Sequence, residues 1–343
     1  MINELLNKLS LPPLLSKEEM IKIMQSEEYG FIPPAPEKIS FEVEENTIPR
    51  FCAGKAPCNK ITAHCTLNGK EFSFPFWSVI PVGKKNLPFF VHINFRPDIP
   101  DRYMPTEELI DNGFAVFSFC YKDVTSDDED FTDGLAGILF DNGKRNDTNP
   151  GKIAMWAWAS HRVLDYAETL GDTLDFGTSV VCGHSRLGKT SLFAAATDSR
   201  FAFAHSNDSG CSGDSITRDK RGETVEDICR KFPFWFCENY KKYINNEHGM
   251  PFDQHFLLAC IAPRNVSVGS AEQDIWADPY AEFLCCAAAS PAFEKGFIHD
   301  NRLPQPGDEY LDGDVGFYMR SGQHYFSRED WLKMIKFIKL HKN

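Results

Sequence analysis

The sequence predicts an α/β protein with a doubly wound, mostly parallel sheet that is flanked by helices and has antiparallel strands at its N-terminal side. Two observations carry this prediction. Residues 39–80 alternate apolar and polar side chains, which is typical of antiparallel strands with one buried face. From residue 151 onward, short apolar runs alternate with helical patterns, which is the order of a parallel sheet with crossover helices.

The elements are expected in the following order. Residues 1–36 are predicted to form a short helix, Lys17 to Ser26, and a proline-rich connector, and residues 37–343 a single domain. Apolar runs predict strands at residues 87–95, 114–120, 179–181, 201–205, 265–269 and 315–320. Helical periodicity predicts helices at residues 107–112, 153–170, 190–197, 280–289 and 329–340, with pieces of helix between 223 and 262.

The acidic run Asp127-Asp128-Glu129-Asp130 lies in a long segment, residues 121–150, between two predicted elements. A calcium site and a solvated loop both fit such a run. The solvated loop is the preferred interpretation, so no metal ion is expected.

Composition and charge exclude several classes of function. The formal net charge of −13 argues against nucleic-acid binding, which needs a basic face. No apolar run approaches the length of about 18 residues that a membrane span needs. Eleven cysteines without a C-x-x-C pair indicate buried free thiols in a reducing compartment. Together with an N-terminus that does not resemble a signal peptide, this predicts a cytoplasmic protein.

The most informative motif is Gly183-His-Ser-Arg-Leu-Gly188, which follows a β-branched strand and precedes a helix. This G-x-S-x-x-G pattern is a variant of the nucleophile elbow. Glycines at both ends leave room for the strand and the helix to cross, and the serine sits in a strained turn with its hydroxyl exposed. The backbone N–H groups at the start of the helix face developing negative charge. The motif therefore predicts that Ser185 is a nucleophile in an α/β-hydrolase fold.

The same residues also satisfy the phosphate-loop pattern G-x-x-x-x-G-K-T, through Gly183, Gly188, Lys189 and Thr190. A phosphate loop usually follows the first strand of its domain, whereas here about half of the chain precedes the motif. The bulky side chains at 184 and 186 would crowd a phosphate cradle. No strand that ends in a convincing magnesium-binding aspartate follows. The interpretation of Ser185 as a nucleophile is therefore preferred, and no cofactor is expected.

A serine nucleophile needs a histidine base and a carboxylate that orients it. His324 follows the last predicted strand, where the base of this fold is expected. The acid has three candidates. Asp208 follows the strand after the elbow strand, and Glu272 and Asp274 follow the next strand, which is the commoner position. Asp208 is preferred, since it lies in a turn rich in glycine and serine.

Several segments together carry a specific resemblance: Gly183–Lys189, Asn207–Gly210, Pro233–Phe236, Pro251–His255 with Ala262–Arg264, and Gly322–His324 with Asp330–Trp331. Over residues 75–335, the chain resembles the glucuronoyl esterases, carbohydrate esterase family 15, and their bacterial relatives. The chain departs from many fungal members at His184, where those proteins have a disulfide-bonded cysteine. Members of this family are habitually secreted, whereas no leader is expected for this chain from its N-terminal residues.

The resemblance implies roles for individual residues. Arg186 would place its guanidinium on the oxyanion, and Lys189 would contact a sugar hydroxyl. Asp208 stands where family members have a glutamate, one methylene longer. Glu223 and Trp276 fall near positions that contact the sugar.

The expected function is hydrolysis of carboxylic esters through an acyl-enzyme at Ser185, with (4-O-methyl)glucuronoyl esters as the favoured substrates. The expected partner is a small-molecule or oligosaccharide ester, and neither a nucleic acid nor a membrane. Two alternatives stay open: an acetyl esterase that acts on acetylated xylo-oligosaccharides, and a non-catalytic binding protein of the same fold.

Overall fold

Ten strands form one mixed sheet in the computed structural model, which describes residues 1–342. The strands are β1 (Lys38–Glu44), β2 (Cys58–Leu67), β3 (Lys70–Val79), β4 (Leu87–Asn94), β5 (Ala115–Cys120), β6 (Leu174–His184), β7 (Phe203–Asn207), β8 (Asn265–Ala271), β9 (Glu309–Tyr310) and β10 (Val315–Arg320). The helices are α1 (Ile2–Leu9), α2 (Lys17–Met24), α3 (Thr106–Asp111), α4 (Gly134–Leu139), α5 (Lys152–Thr169), α6 (Arg186–Thr197), α7 (Val225–Lys231), α8 (His255–Ala259), α9 (Pro279–Ala289) and α10 (Arg328–His341).

The strand order is β1-β2-β3-β5-β4-β6-β7-β8-β10-β9. The three N-terminal strands pair antiparallel with one another, and β3 pairs antiparallel with β5. From β5 to β10 every neighbouring pair is parallel, and β9 closes the far edge as an antiparallel strand. The predicted fold class, a mostly parallel sheet with antiparallel strands at its N-terminal side, is confirmed.

The sheet separates two apolar cores, because side chains of successive strand residues point to opposite faces. In β4, Phe89 and Val91 belong to the larger core, which includes α5 and α6, while Phe90 belongs to the smaller core with α10. The central strands β4, β5 and β6 are therefore buried on both faces, as the continuous apolar runs in the sequence indicated. Such strands hold their carboxyl ends in fixed positions.

The carboxyl ends of β6, β7, β8 and β10 lie along one edge of the sheet, because these strands are parallel neighbours. The segments that follow them carry the sequence-predicted serine, acids and histidine. Helix α10 starts just after the last of these segments and is fixed by a capping box. In it, Ser327 accepts from the backbone N–H of Asp330, and the Asp330 side chain accepts from the backbone N–H of Ser327.

Three short elements were not predicted, namely α1, α4 and β9. Helix α1 has eight residues and β9 has two, and packing against the rest of the protein stabilises such pieces more than their own sequence does. Helix α6 begins at Arg186, four residues before its predicted start at Thr190, because the turn at the serine passes directly into helix. No helix of residues 1–342 is both long and apolar enough to cross a bilayer.

The N-terminal segment packs into the larger core through Ile2, Met20, Met24 and Tyr29. Beside Tyr29, the carboxyl group of Glu28 is completely buried and accepts hydrogen bonds from Nε2 of Gln254 at 3.0 and 3.1 Å. Burial raises the pKa of Glu28 to about 8. The folded chain thus keeps a proton on Glu28 that the unfolded chain releases at a lower pH.

We expect Glu28 to contribute stability that is lost as the pH rises from about 4.5 to 8, where only the unfolded chain loses this proton. The melting temperature of the Glu28→Gln variant, measured relative to the wild type, should therefore rise between pH 5 and 8. The matched control is Glu45→Gln, which alters an exposed carboxylate and should keep the wild-type slope. Equal slopes for Glu28→Gln and the wild type would contradict the prediction.

Candidate active site

Ser185 sits between β6 and α6 with a positive φ, at φ 59° and ψ −128°. A residue other than glycine adopts such angles only when its surroundings impose them. The flanking glycines explain how the turn fits: a Cβ at Gly183 would lie 2.2 Å from the carbonyl oxygen of Leu187, and a Cβ at Gly188 would lie 2.6 Å from Oγ of Ser206. The predicted elbow geometry is present.

The imidazole of His324 is hydrogen-bonded to Asp274, with Nδ1 2.6 Å from Oδ2. A proton on Nδ1 donates to this carboxylate, which leaves Nε2 as the acceptor for a serine hydroxyl. The side chain of Asp274 is 5 % exposed and that of His324 is 45 % exposed, so the acid is shielded while the base is open to substrate.

The pairing of β8 with β10 continues beyond both strands, and this explains why Asp274 is the partner of His324. The backbone N–H of Glu272 donates to the carbonyl of Arg320 at 2.9 Å, and the N–H of Gln273 donates to the carbonyl of Gly322 at 2.9 Å. The segment that carries Asp274 is thereby tied to the segment that carries His324. The side chain of Glu272, the other alternative acid, is exposed, and His324 is hydrogen-bonded to Asp274 instead.

Asp208, the acid that the sequence favoured, has other partners. Its Oδ1 accepts from the backbone N–H of Ala271 at 2.6 Å, and its Oδ2 accepts from Nη2 of Arg320 at 3.2 Å. Burial raises the pKa of Asp208 well above its usual range, and the nearby Arg320 opposes that rise. The structure therefore corrects the preference for Asp208: both of its oxygens already accept hydrogen bonds from Ala271 and Arg320, and His324 donates to Asp274 instead.

Arg320 is the buried cation that joins these segments. Its Nε lies 2.9 Å from both carboxylate oxygens of Asp330, and its two terminal nitrogens donate to the carbonyls of Ser321, Gln323 and Tyr325. The loop that contains His324 is thus wrapped around one guanidinium group. Arg320 was not predicted from the sequence, although its position at the carboxyl end of β10, four residues before the histidine, could have indicated it.

Arg186 lies beside the serine with its guanidinium enclosed by aromatic rings. Its Cζ is 4.6 Å from the ring centroid of Trp235 and 5.2 Å from that of Phe232, and its Nη1 donates to Oδ2 of Asp127. The side chain of Asp127 is only 7 % exposed. The interpretation of the acidic run as solvated is therefore wrong at Asp127, although the side chains of Asp128 and Glu129 are exposed.

The three residues that the resemblance connects with sugar binding all line the cavity, with different exposure. Nζ of Lys189 donates to the carbonyls of Ser209 and Cys211, and the residue is 2 % exposed, so most of its hydrogen-bonding capacity is used within the protein. Glu223 is buried, whereas Trp276 is 45 % exposed, with Nζ of Lys231 4.0 Å from its ring centroid.

These side chains meet in one cavity of about 330 Å³ at the carboxyl edge of the sheet. Its lining includes Ser185, Arg186, Lys189, Asp208, Glu223, Phe232, Trp235, Asp274, Trp276 and His324. The first N–H groups of α6 have no carbonyl of their own helix to bond to, so they are free to stabilise negative charge at the serine. The arrangement supplies a nucleophile, a base with its acid, and electrophilic groups.

His184 lies next to the base, with the centroids of its ring and the His324 ring 4.3 Å apart. Burial and the neighbouring His324 lower the pKa of His184 well below its usual range. A neutral His184, with Nδ1 2.7 Å from Oδ1 of Asn207, adds no positive charge beside His324.

A ring nitrogen of His324 and carboxylate oxygens of Asp208 and Asp274 lie within 4.8 Å of one another, a spacing at which three groups can ligate a metal ion. However, the guanidinium of Arg320 already donates to Oδ2 of Asp208 at 3.2 Å. Its positive charge opposes a cation at this place, so the donor set fits a hydrogen-bonded acid–base pair better than a metal centre.

The sequence and the fold of this chain match those of known proteins. The family model described as glucuronyl esterase, fungi, matches residues 63–295. This chain belongs to that family. Among solved structures, a glucuronoyl esterase from Solibacter usitatus is similar at 29 % identity and a TM-score of 0.85, over 95 % of this chain and 92 % of that one. A carbohydrate esterase family 15 glucuronoyl esterase from Teredinibacter turnerae is similar at 27 % identity and a TM-score of 0.85, over 94 % and 83 % of the two chains.

Two curated relatives extend the comparison. Carbohydrate esterase MZ0003, from an unknown prokaryotic organism, is 38 % identical over 243 residues, which are 68 % of this chain and 55 % of that protein. The 4-O-methyl-glucuronoyl methylesterase of Schizophyllum commune is 26 % identical over 297 residues, 83 % of this chain and 69 % of that protein. The chain thus spans just over half of the length of the first relative. Membership of the glucuronyl esterase family confirms the resemblance read from the motifs and the α/β-hydrolase fold.

Replacing Arg320 should be costly, because Asp208 and Asp330 would then lie in the interior without their cation. We expect Arg320→Met to lower the free energy of unfolding by about 3 kcal/mol or more, measured by urea denaturation. The control Arg328→Gln removes an arginine whose side chain is 72 % exposed and pairs with Glu108, and should cost less than about 1 kcal/mol. Equal losses for the two variants would contradict the role given to Arg320.

Proposed function

We propose that this chain hydrolyses carboxylic esters by an acyl-enzyme mechanism, with esters of glucuronic or 4-O-methylglucuronic acid as substrates. The observation that carries the proposal is the hydrogen bond between His324 and Asp274 at the mouth of a cavity that also contains Ser185 in its strained turn. Family membership supports the substrate class, since the curated relatives include 4-O-methyl-glucuronoyl methylesterases.

In the first half of the reaction, Oγ of Ser185 attacks the ester carbonyl carbon while Nε2 of His324 takes the hydroxyl proton. Negative charge develops on the carbonyl oxygen, where the guanidinium of Arg186 and the first N–H groups of α6 stabilise it. The bond to the alcohol oxygen then breaks, and the leaving alcohol receives the proton from His324. Asp274 keeps the imidazole in the required tautomer and stabilises its charged form.

In the second half, a water molecule gives a proton to Nε2 of His324 and attacks the acyl carbon. The bond to Oγ of Ser185 breaks, the serine recovers its proton, and the carboxylic acid leaves. The acyl side of the proposed substrate is a sugar. The buried polar groups of Lys189 and Glu223 and the open ring of Trp276 supply hydrogen bonds and a flat apolar surface for it.

The cytoplasmic location stays a prediction. It is supported by eleven cysteines that are all free and buried, as expected for thiols in a reducing compartment.

The substrate class is tested by initial rates on benzyl glucuronate and on an acetylated xylo-oligosaccharide. We expect turnover of the glucuronate ester and a loss of at least about 10³ in kcat for Ser185→Ala. Turnover of the acetate alone would transfer the same mechanism to an acetyl esterase. Failure on both substrates, or near-normal turnover by Ser185→Ala, would refute the proposal.

Replacing Asp274 should mainly affect the reaction rate, whereas replacing Asp208 should mainly affect stability. We expect Asp274→Asn to lower kcat by about 10² or more, because the amide cannot hold the imidazole in the right tautomer. Asp208→Asn should mainly lower the melting temperature, since it weakens the contact with Arg320. Measuring kcat and thermal unfolding for both variants tests this division, and a larger loss of kcat in Asp208→Asn would return the acid role to Asp208.

A further inference from the structure

The carboxylate of Asp127 is fixed by three donors at once. The hydroxyl of Tyr121 donates to Oδ2 at 2.8 Å, Nε1 of Trp235 donates to Oδ1 at 2.8 Å, and Nη1 of Arg186 also donates to Oδ2. Burial and the neighbouring Asp127 raise the pKa of Tyr121, so its hydroxyl stays a donor. A chance surface ion pair is not enclosed in this way, and the contact between Asp127 and Arg186 is therefore part of the built site.

The loop that carries Asp127 is itself anchored. Nζ of Lys152, which is completely buried at the start of α5, lies 2.9 Å from Oγ1 of Thr125 and 3.1 Å from Oγ of Ser126, and it also donates to the carbonyl of Asp130. These bonds fasten the loop on both sides of Asp127. The carboxylate thus stays against Arg186 without help from a substrate.

Arg186 creates a difficulty for an ester hydrolase. Each turnover ends with a carboxylate beside the serine, and a free guanidinium holds a carboxylate with two parallel, charge-assisted hydrogen bonds. In this protein Nη1 is already bonded to Asp127, whose negative charge neutralises the guanidinium. Within residues 1–342, Nε of Arg186 is buried and has no hydrogen-bond partner, so the aromatic walls also close that side of the group.

We propose that Asp127 is a positioning residue that orients Arg186 toward the oxyanion and, by neutralising it, prevents the carboxylate product from being trapped. This inference rests on the proposed ester hydrolysis. The oxyanion of the transition state is covalently attached to the serine, and it also accepts hydrogen bonds from the first N–H groups of α6. These interactions stabilise it despite the nearby negative charge of Asp127. A free carboxylate has no such attachment, and repulsion from Asp127 weakens its binding.

The central experiment measures the Kd of sodium glucuronate by isothermal titration calorimetry for the wild type, Asp127→Asn and Glu129→Gln. Glu129 is an exposed neighbour in the same loop, so both variants lose one negative charge but only one of them uncovers Arg186. We expect Asp127→Asn to bind glucuronate at least about tenfold more tightly, and Glu129→Gln to resemble the wild type. A purely structural role would weaken ligand binding or leave it unchanged, so equal or weaker binding by Asp127→Asn would overturn the inference.

The double variant Asp127→Asn, Arg186→Gln identifies the group that holds the carboxylate. The tighter binding should disappear in it, and tighter binding that persists would overturn the inference.

A second measurement needs no variant, which keeps the inference testable if Asp127→Asn does not fold. Glucuronamide is a neutral analogue of the product with nearly the same shape. We expect the wild type to bind glucuronamide at least as tightly as glucuronate. A wild type that prefers the carboxylate by tenfold or more would overturn the inference, because Asp127 would then not be suppressing carboxylate binding.

These experiments distinguish a failure of the inference about Asp127 from a failure of the proposed function. If the wild type hydrolyses benzyl glucuronate but the carboxylate affinities do not follow the expected order, only the inference about Asp127 fails. If the wild type hydrolyses only acetates, the proposed substrate fails, and the same comparison is made with acetate and acetamide. Absence of carboxylate binding to both the wild type and Asp127→Asn overturns the inference in either case.

Discussion

The backbone of Ser185 is the constraint on which the rest of the site depends. A serine at φ 59° and ψ −128° costs on the order of 1–3 kcal/mol, and the surrounding structure must supply that energy. Strand β6 holds the serine in this conformation, because β6 lies in the centre of the sheet and pairs with β4 on one side and β7 on the other. Since the serine is fixed at the carboxyl end of this strand, its partners have to come from the segments that follow β7, β8 and β10.

Because the partners of Ser185 come from distant segments, the sequence predicted only part of the site. The elbow and His324 were found because each has a local signature or a fixed place after the last strand. The choice of acid was not local: Asp208 and Asp274 both follow neighbouring strands, and only the continued pairing of β8 with β10 brings Asp274 to the histidine. Asp127 was missed for a related reason, since nothing in a run of four acidic residues shows which of them is buried.

The fold itself was more predictable than the site, because the central strands are buried on both faces and appear as continuous apolar runs. The sequence is less informative where an element depends on its neighbours. Strand β9 has two residues and forms only because β10 offers an edge, and α4 lies inside a segment whose acidic composition favoured a loop. The same holds for the side chain of Lys189. Its position in a helix does not reveal that its ammonium group donates hydrogen bonds to backbone carbonyls.

Three buried cations perform a common task around this cavity. Lys152, Lys189 and Arg320 are at most 5 % exposed, and each donates to backbone carbonyls of a loop that borders the site. Removing a cation from water is expensive, and the cost is offset only when several acceptors surround it. A loop folded around such a cation therefore has one favourable conformation, whereas a loop held by apolar contacts has several. Arg186 lies beside the serine, and its compensation comes from the carboxylate of Asp127. The positive charge needed for chemistry is thus kept in a nearly neutral pair, while Lys152, Lys189 and Arg320 use hydrogen bonds to fix the loops around the cavity.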